Sequence, residues 1–411
     1  MINLEVPKKF NFLIGQAHQV AREVFRPISR KYDQAEHAHP KELDMLAAVI
    51  DGMNEGGALG GAGAGGVGGS GGGAGNGSSS AGEPGNRNGS NMASLLGLIE
   101  LCWGDVGLLL TMPRQGLGQA AIAAVADEDQ LKRFGGRWAA MAITEPEAGS
   151  DSAAIRTTAQ LDGDEYVLNG EKIYVTSGDR AELIVVWATL DRKQGRGAIK
   201  SFVVERDNPG LHLDRLEHKL GIRASDTAAF RLEDCRVPKG NLLGAPEIEG
   251  KRGFAGVMQT FDNTRPLVAG MAIGVARACL ELTREHLEAA GIEIDYDRAG
   301  WVQSAAAADF IAMEADWEAA RLLTMQAAWM ADNGKPNSLQ ASMAKAKAGR
   351  TGTDVALRCV ALCGATGYAE GELLEKWARD AKILDLFEGT QQIQLLIIAR
   401  ALLGKTSAEL K

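Results

Sequence analysis

The chain has 411 residues, 45% of them hydrophobic and 24% charged, enough apolar material for two or three domains around a large buried core. Its 53 acidic against 44 basic side chains give a formal charge of -9, which excludes a phosphate-neutralising nucleic-acid surface. No run of about 18 uncharged apolar residues suggests a membrane span, and the opening MINLEVPKKFNFLIGQAHQV lacks a signal peptide's apolar core, so a cytoplasmic protein with no membrane partner is expected.

The first 50 or so residues read as a helix pair, with Phe12, Ala17, Val20, Val24 and Phe25 at helical spacing and Pro27 near a bend. From Gly56 to Gly77, 14 of 22 residues are glycine, and Ser, Asn and Pro continue to about residue 90. Such a stretch buries too little apolar surface to offset its ordering entropy and reads as a mobile surface loop. It contains a formal GxGxxG at Gly61, Gly63 and Gly66, but no Val/Ile-rich strand precedes it and no apolar helix follows, so it is not read as a dinucleotide fingerprint. Helical patterning resumes from Met92 to Phe134, which makes residues 1–137 an N-terminal α-helical domain with an inserted loop.

From Trp138 the pattern changes to short β-branched runs: YVLNGEKIYVT, ELIVVWATLD, AIKSFVVERDNPG and TAAFRLEDCRVP. Asn169-Gly170 suits a tight hairpin and Asn208-Pro209-Gly210 another chain reversal, giving an antiparallel β domain over residues 138–247. Alanine-rich helical patterns fill residues 248–411, with four long helices expected as a bundle whose several apolar faces suit a subunit interface as well as a core. The five cysteines are too few for a disulfide framework, and Cys359 and Cys363, four apart without a nearby His, do not read as a metal site. The fold class is therefore α+β multi-domain: helical, β-barrel-like, helical.

Four polar stretches interrupt these patterns. In TEPEAGSD, Thr144 to Asp151, Gly149 permits close backbone approach and Thr144 and Ser150 offer hydroxyls beside N–H groups, a combination able to hold a flavin edge or a phosphate; it reads equally as a strand-to-turn connection. In KIYVTSG, Tyr174 and Thr176 share one strand face around Val175 and could present a ring and a hydroxyl to a planar cofactor, or simply satisfy strand preference. In FDNTRP, Asp262 and Arg265 read either as a helix cap and a solvated first-turn residue or as a polar cluster for an acyl amide or phosphorylated group. In KILDLFEGTQQIQLLIIARALLG, Glu388 follows apolar Leu386-Phe387 and precedes Gly389 and a helix capped by Thr390. A carboxylate placed there is partly desolvated, which raises its pKa toward a general base's range, or it is a helix-entry carboxylate favoured by the dipole.

Together and in this order, TEPEAGSD, GEKIYVTSG, KLGIRASDTAAFRLEDCRVPKGNLLG, GFAGVMQTFDNTRPLVAG and GYAEGELLEKWARDAKILDLFEGTQQIQ resemble the acyl-CoA dehydrogenase family, most closely its mycobacterial-type members of fatty-acid β-oxidation. The resemblance implies FAD-dependent oxidation of an acyl-CoA thioester to its trans-2-enoyl-CoA, with electrons passed to an electron-transferring flavoprotein. It implies Glu388 as the base that removes the α proton, and Met141, Ile143, Thr144, Gly149, Ser150, Tyr174, Val175, Thr176, Thr390 and Gln392 as the FAD border. Ser150, Asp262, Thr264, Arg265 and Gly389 would lie toward the substrate. Thr264 stands where some members carry an alternative Glu base, which strengthens the assignment to Glu388, and Tyr174 stands where a Trp is common.

One region departs from the pattern. Members usually offer an Arg, a Phe three residues on and a later Gln to a neighbouring subunit's FAD, and here those places fall on Glu293, Tyr296 and Ser304, with Arg298 and Gln303 as alternatives in a shifted register. Ala361 stands where a Gln often precedes the GGxG segment. A Glu facing a pyrophosphate opposes binding. Two assemblies accommodate this: a homo-oligomer with altered contacts, or an α2β2 heterotetramer whose paralogous subunit completes the FAD site; a non-catalytic supporting subunit is the rival reading.

Overall fold

The computed structural model of the chain describes residues 5–55, 88–113, 117–248, 255–406 and 409, and for residues 49–55 and 255–263 the backbone alone. The glycine tract and its GxGxxG lie outside the described residues. Helix α1 (Asn11–Val20) passes through a π turn at Ala21–Phe25 into α2 (Arg26–Gln34). Pro27 sits in the first turn of α2, where its missing N–H costs nothing, so the bend expected near it is this π turn. Helix α3 (Lys41–Glu55) completes the expected pair, and α4 (Ser90–Gly104), α5 (Val106–Thr111), α6 (Leu117–Val125) and α7 (Glu128–Phe134) follow. Asp105 caps α5 by accepting from Leu108 N, and Asp127 with Gln130 forms a reciprocal capping box on α7.

Seven strands form one sheet: β1 (Ala139–Ala142), β2 (Thr158–Asp162), β3 (Glu165–Thr176), β4 (Leu183–Thr189), β5 (Ile199–Glu205), β6 (Leu211–Leu216) and β7 (Thr227–Pro238). The order is β1-β4-β2-β3-β7-β6, with β5 also on β4. The sheet is mixed rather than antiparallel, since β4 runs parallel to β1 and, at one pair, to β2. That position explains LIVVWAT as an unbroken apolar run: Ile184, Val186 and Ala188 face one core while Leu183, Val185 and Trp187 face another. Asn169-Gly170 is not a hairpin turn but a register shift inside β3, and the β2–β3 turn is Gly163-Asp164. A Cβ on Gly170 would lie 2.4 Å from Thr157 Oγ1, so the glycine serves close approach between strands. The reversal at Asn208-Pro209-Gly210 is present, with Asn208 Oδ1 accepting from Gly210 N at 2.9 Å.

The C-terminal helices are α8 (Ala255–Ala289), α9 (Ala305–Asp332), α10 (Ser338–Tyr368) and the shorter α12 (Gln391–Leu403), with α11 (Leu374–Ala381) additional to the expected four. Helix α8 begins well before the FDNTRP stretch, so Asp262 is not its cap and Arg265 is not in its first turn. Its segment Thr264–Ala289 is long and apolar enough to cross a membrane by composition, yet 78% of that window is buried inside the protein. Phe25, Leu95, Ile99, Ile273, Phe310 and Trp377 belong to one cluster, so the N-terminal and C-terminal helices share a single core. Within it the ammonium of Lys376 lies 2.7 Å from Asp105 and 2.6 Å from Asp380, tying α5 to α11 through fully buried charges.

Candidate active site

The first group of site residues sits on β1, β3 and the segment between β1 and β2. Ile173 N donates to Thr144 O at 2.9 Å, which joins TEPEAGSD to KIYVTSG. Glu145 secures the segment from below. Its carboxylate accepts from Arg156 N at 2.5 Å, Thr157 N at 3.0 Å, Thr157 Oγ1 at 2.5 Å and Lys172 Nζ at 2.7 Å. Burial alone would raise Glu145, but Lys172 and these hydrogen bonds hold it below the ordinary carboxylate range. The fully buried Lys172 ammonium is pushed down to about 8 by burial, against the pull of Glu145.

Above this pair, Met141 and Thr144 are half-buried, Ile143 is buried, and Gly149 and Ser150 are exposed. Tyr174 is exposed and Thr176 half-buried on either side of buried Val175, a pattern reached across a register shift that breaks the alternation after the buried Lys172. Tyr174 has φ 59° and a surface 62% exposed, at a register shift between Lys172 and Val175. A left-handed tyrosine persists only where its surroundings enforce it.

The second group forms where α8, α10 and the start of α12 meet. Thr264 Oγ1 donates to Glu388 Oε2 at 2.9 Å, and both Thr264 and Arg265 are buried. Burial pushes the Glu388 carboxyl above its ordinary value, with the Thr264 hydrogen bond, Arg265 and Lys345 pulling it back down. The backbone is left-handed at two successive residues, with φ 55° at Glu388 and 89° at Gly389. Thr390 then caps α12, its side chain accepting from Ile393 N. Helix α10 closely approaches the segment that leads into this turn, because a Cβ on Gly349 would lie 2.7 Å from Leu384 O and 3.1 Å from Asp385 Cα.

Four residues here carry no signal strong enough for sequence reasoning: Glu145, Lys172, Lys345 and Gln394. Lys345 Nζ donates to Gly389 O at 2.8 Å, and Gln394 Nε2 reaches Glu388 O at 3.1 Å and Gly389 O at 3.2 Å. Gln394 is buried whereas Gln392, the glutamine singled out from sequence, is exposed. The Asp262 side chain lies outside the described residues. Among the departures, Ser304 caps α9 by accepting from Ala307 N at 3.1 Å, Tyr296 OH bonds Glu314, and Glu293 is exposed. The alternatives are engaged locally: Arg298 pairs with Asp295 at 3.0 Å, and Gln303 bonds Asp295 N and Arg298 O.

Residues 140–235 match the family description "Acyl-CoA dehydrogenase, middle domain" and residues 251–403 match "Acyl-CoA dehydrogenase, C-terminal domain". The chain is 40% identical over 265 residues to the mitochondrial short-chain specific acyl-CoA dehydrogenase of Rattus norvegicus, covering 64% of this chain and 62% of that protein. It is 35% identical over 312 residues to the short-chain specific acyl-CoA dehydrogenase of Clostridium acetobutylicum, covering 74% of this chain and 79% of that one. Among solved structures, butyryl-CoA dehydrogenase from Megasphaera elsdenii superposes with a TM-score of 0.80 at 28% identity over 98% of this chain and all of that one.

Proposed function

This chain belongs to the acyl-CoA dehydrogenase family, and from that premise we propose that it carries out FAD-dependent α,β-dehydrogenation of an acyl-CoA thioester with Glu388 as the base. The observation that carries the reading is the half-buried Glu388 carboxyl, held by Thr264 in a left-handed turn and raised above its ordinary value by desolvation. Members of the family act on acyl-CoA and use FAD, and the residues here suit such a group. Two of the three acids of TEPEAGSD are paired with cations, Glu145 with Lys172 and Glu147 with Arg156, which reduces their opposition to a phosphate, while Asp151 accepts from Ala153 N. Tyr174 offers an open ring face, and Gln391 Oε1 and Gln394 Oε1 are buried on α12 without a hydrogen-bond partner among the described residues.

Thr144, Ser150, Tyr174, Thr176 and Thr390 would hold the FAD, whose oxidised ring, when bound, supplies the acceptor for the hydride leaving the β carbon. The protein's own part is proton chemistry. Glu388 Oε2 accepts from Thr264, which orients the carboxylate that would take the α proton. Phe387, packed against the bundle core, shields the half-buried carboxylate from part of the solvent, and this desolvation makes it more basic. As the proton leaves, negative charge grows on the thioester carbonyl, and N–H groups of the Glu388–Gly389 turn would be the donors that meet it. Glu388→Gln is expected to keep FAD and acyl-CoA binding and lose most turnover; normal oxidation by that variant would sink the base assignment.

Electron-transferring flavoprotein is the proposed acceptor of the electrons. A heterotetramer with a paralogous subunit is favoured by one feature: Glu293 is exposed at the usual arginine place, and Arg298 and Gln303 are bonded within their own loop. Exposed Trp301, Val302, Leu402 and Leu403 supply apolar surface for either assembly. Full FAD content and activity in an oligomer of this chain alone would remove the need for a second subunit.

A further inference from the structure

The left-handed pair at Glu388 and Gly389 needs something to enforce it. Glutamate at φ 55° is disfavoured by contact between its Cβ and the backbone, and Thr264 touches only the end of the side chain. Two side chains grip the backbone itself. Gln394 folds back from the first turn of α12, and its Nε2 spans the carbonyls of both residues. Lys345 reaches across from α10 to the same Gly389 carbonyl. A side chain on residue 389 would be strained at its φ of 89° and would push Gln394 Nε2 off these carbonyls, since a Cβ there would lie 2.5 Å from it.

We propose that Lys345 and Gln394 are positioning residues for Glu388, locking the turn that presents its carboxyl, and that the Lys345 ammonium, held at the adjacent Gly389 carbonyl, joins Arg265 in favouring the carboxylate form. The inference rests on the reading of Glu388 as the base. The two residues divide the task by charge: Gln394 contributes hydrogen bonds alone, Lys345 hydrogen bonds and a cation. A backbone carbonyl does not neutralise an ammonium, so a fully buried lysine aimed at one is costly unless a carboxylate lies near. The charged groups facing Glu388 are Arg265 from α8 and Lys345 from α10; Lys345 in turn faces Asp385, before α12, more strongly than it faces Glu388, and Asp385 also bonds Lys382 at 3.0 Å. Burial pushes Lys345 down to about 8, with Asp385 and Glu388 opposing and Arg265 adding to the fall. Near neutral pH it is thus a cation with little margin.

The test uses the FAD-loaded full-length protein with Lys345→Met, Lys345→Gln, Lys345→Arg and Gln394→Leu. Protonation of Glu388 is followed by pH-difference infrared spectroscopy of its carboxyl stretch, the band being assigned by its loss in Glu388→Gln. Anaerobic flavin bleaching is timed with whichever saturated acyl-CoA of a C4 to C16 series is fastest for the wild type. Removing a cation raises a carboxyl's midpoint, so Lys345→Met and Lys345→Gln are expected to move it to higher pH by about one unit or more, and Lys345→Arg to restore it. Gln394→Leu is expected to slow bleaching about tenfold or more at an unmoved midpoint, because it disturbs position without charge. An unmoved midpoint in both neutral Lys345 variants, or wild-type bleaching by Gln394→Leu, overturns the proposal. Failure of the base reading would show separately as retained turnover in Glu388→Gln, while the infrared midpoint still decides the part played by Lys345.

Discussion

Glu145→Ala removes the one carboxylate that faces Lys172, and its cost can be worked from the contacts. The wild-type carboxylate satisfies four donors, and among the described residues the Lys172 ammonium has in addition only the Ile143 carbonyl at 3.1 Å. Truncation removes the group that holds Lys172 up against burial, so the buried amine must either lose its proton or stay charged against a neutral acceptor, and the Thr157 N–H and hydroxyl lose this partner. Breaking a buried pair from one side costs about 3–5 kcal/mol. Glu145→Gln keeps acceptors for Arg156 N and Thr157 and is expected to cost less, and Glu145→Gln with Lys172→Met less again than Glu145→Ala, because no charge is then stranded. Because Glu145 titrates below its ordinary value in the folded protein, its contribution is present above that ordinary value and is lost as pH falls through the folded midpoint. Urea unfolding followed by Trp138 and Trp187, both buried in the sheet, measures the loss, and FAD per chain measures whether TEPEAGSD keeps its shape. A Glu145→Ala protein within about 1 kcal/mol of wild type and fully FAD-loaded would refute the claim that this pair holds the segment.

Three further outcomes are expected. Gly349→Ala places a Cβ 2.7 Å from Leu384 O, so the segment leading to Glu388 must shift; a loss of about 1–3 kcal/mol in thermal unfolding together with reduced kcat is predicted, and unchanged values of both would contradict it. Lys376→Met strands Asp105 and Asp380 in the core, for about 3–5 kcal/mol by urea titration, with a loss under about 1 kcal/mol as the contrary result. A base works deprotonated, and burial raises Glu388, so kcat/KM is expected to fall toward acid with a midpoint above 4.5; an acid limb at or below that value would show a solvated carboxylate.

What the sequence made legible follows physical rules that act locally. Long β-branched runs announced β3, β4, β5 and β7, whereas β1, built of AAMA, and the half-exposed β2 and β6 carry little β propensity of their own and form because their neighbours are strands. Asn169-Gly170 has the composition of a hairpin, but the need for Thr157 to approach Gly170 turned it into a bulge inside a strand. Asp262 resembled a cap only because the helical signal before it is weak. The lysines of SMAKAKAG show the limit most clearly: Lys347 pairs with Asp316 near the surface while Lys345, two residues away, is fully buried and grips the Glu388 turn. Helical periodicity places them on different faces without saying which face meets α12. Glu388 itself was readable as a desolvated carboxylate, but its role as a base came from the order of five motifs.

The central claim is dehydrogenation of an acyl-CoA through Glu388, and the most direct measurement is an anaerobic titration of the FAD-loaded chain with saturated acyl-CoAs of increasing length, wild type beside Glu388→Gln. The account predicts stoichiometric loss of the oxidised flavin absorbance in the wild type with at least one acyl-CoA, and none in the variant despite bound ligand. An FAD-loaded wild type that no acyl-CoA bleaches, or a variant that bleaches as fast as wild type, would contradict it.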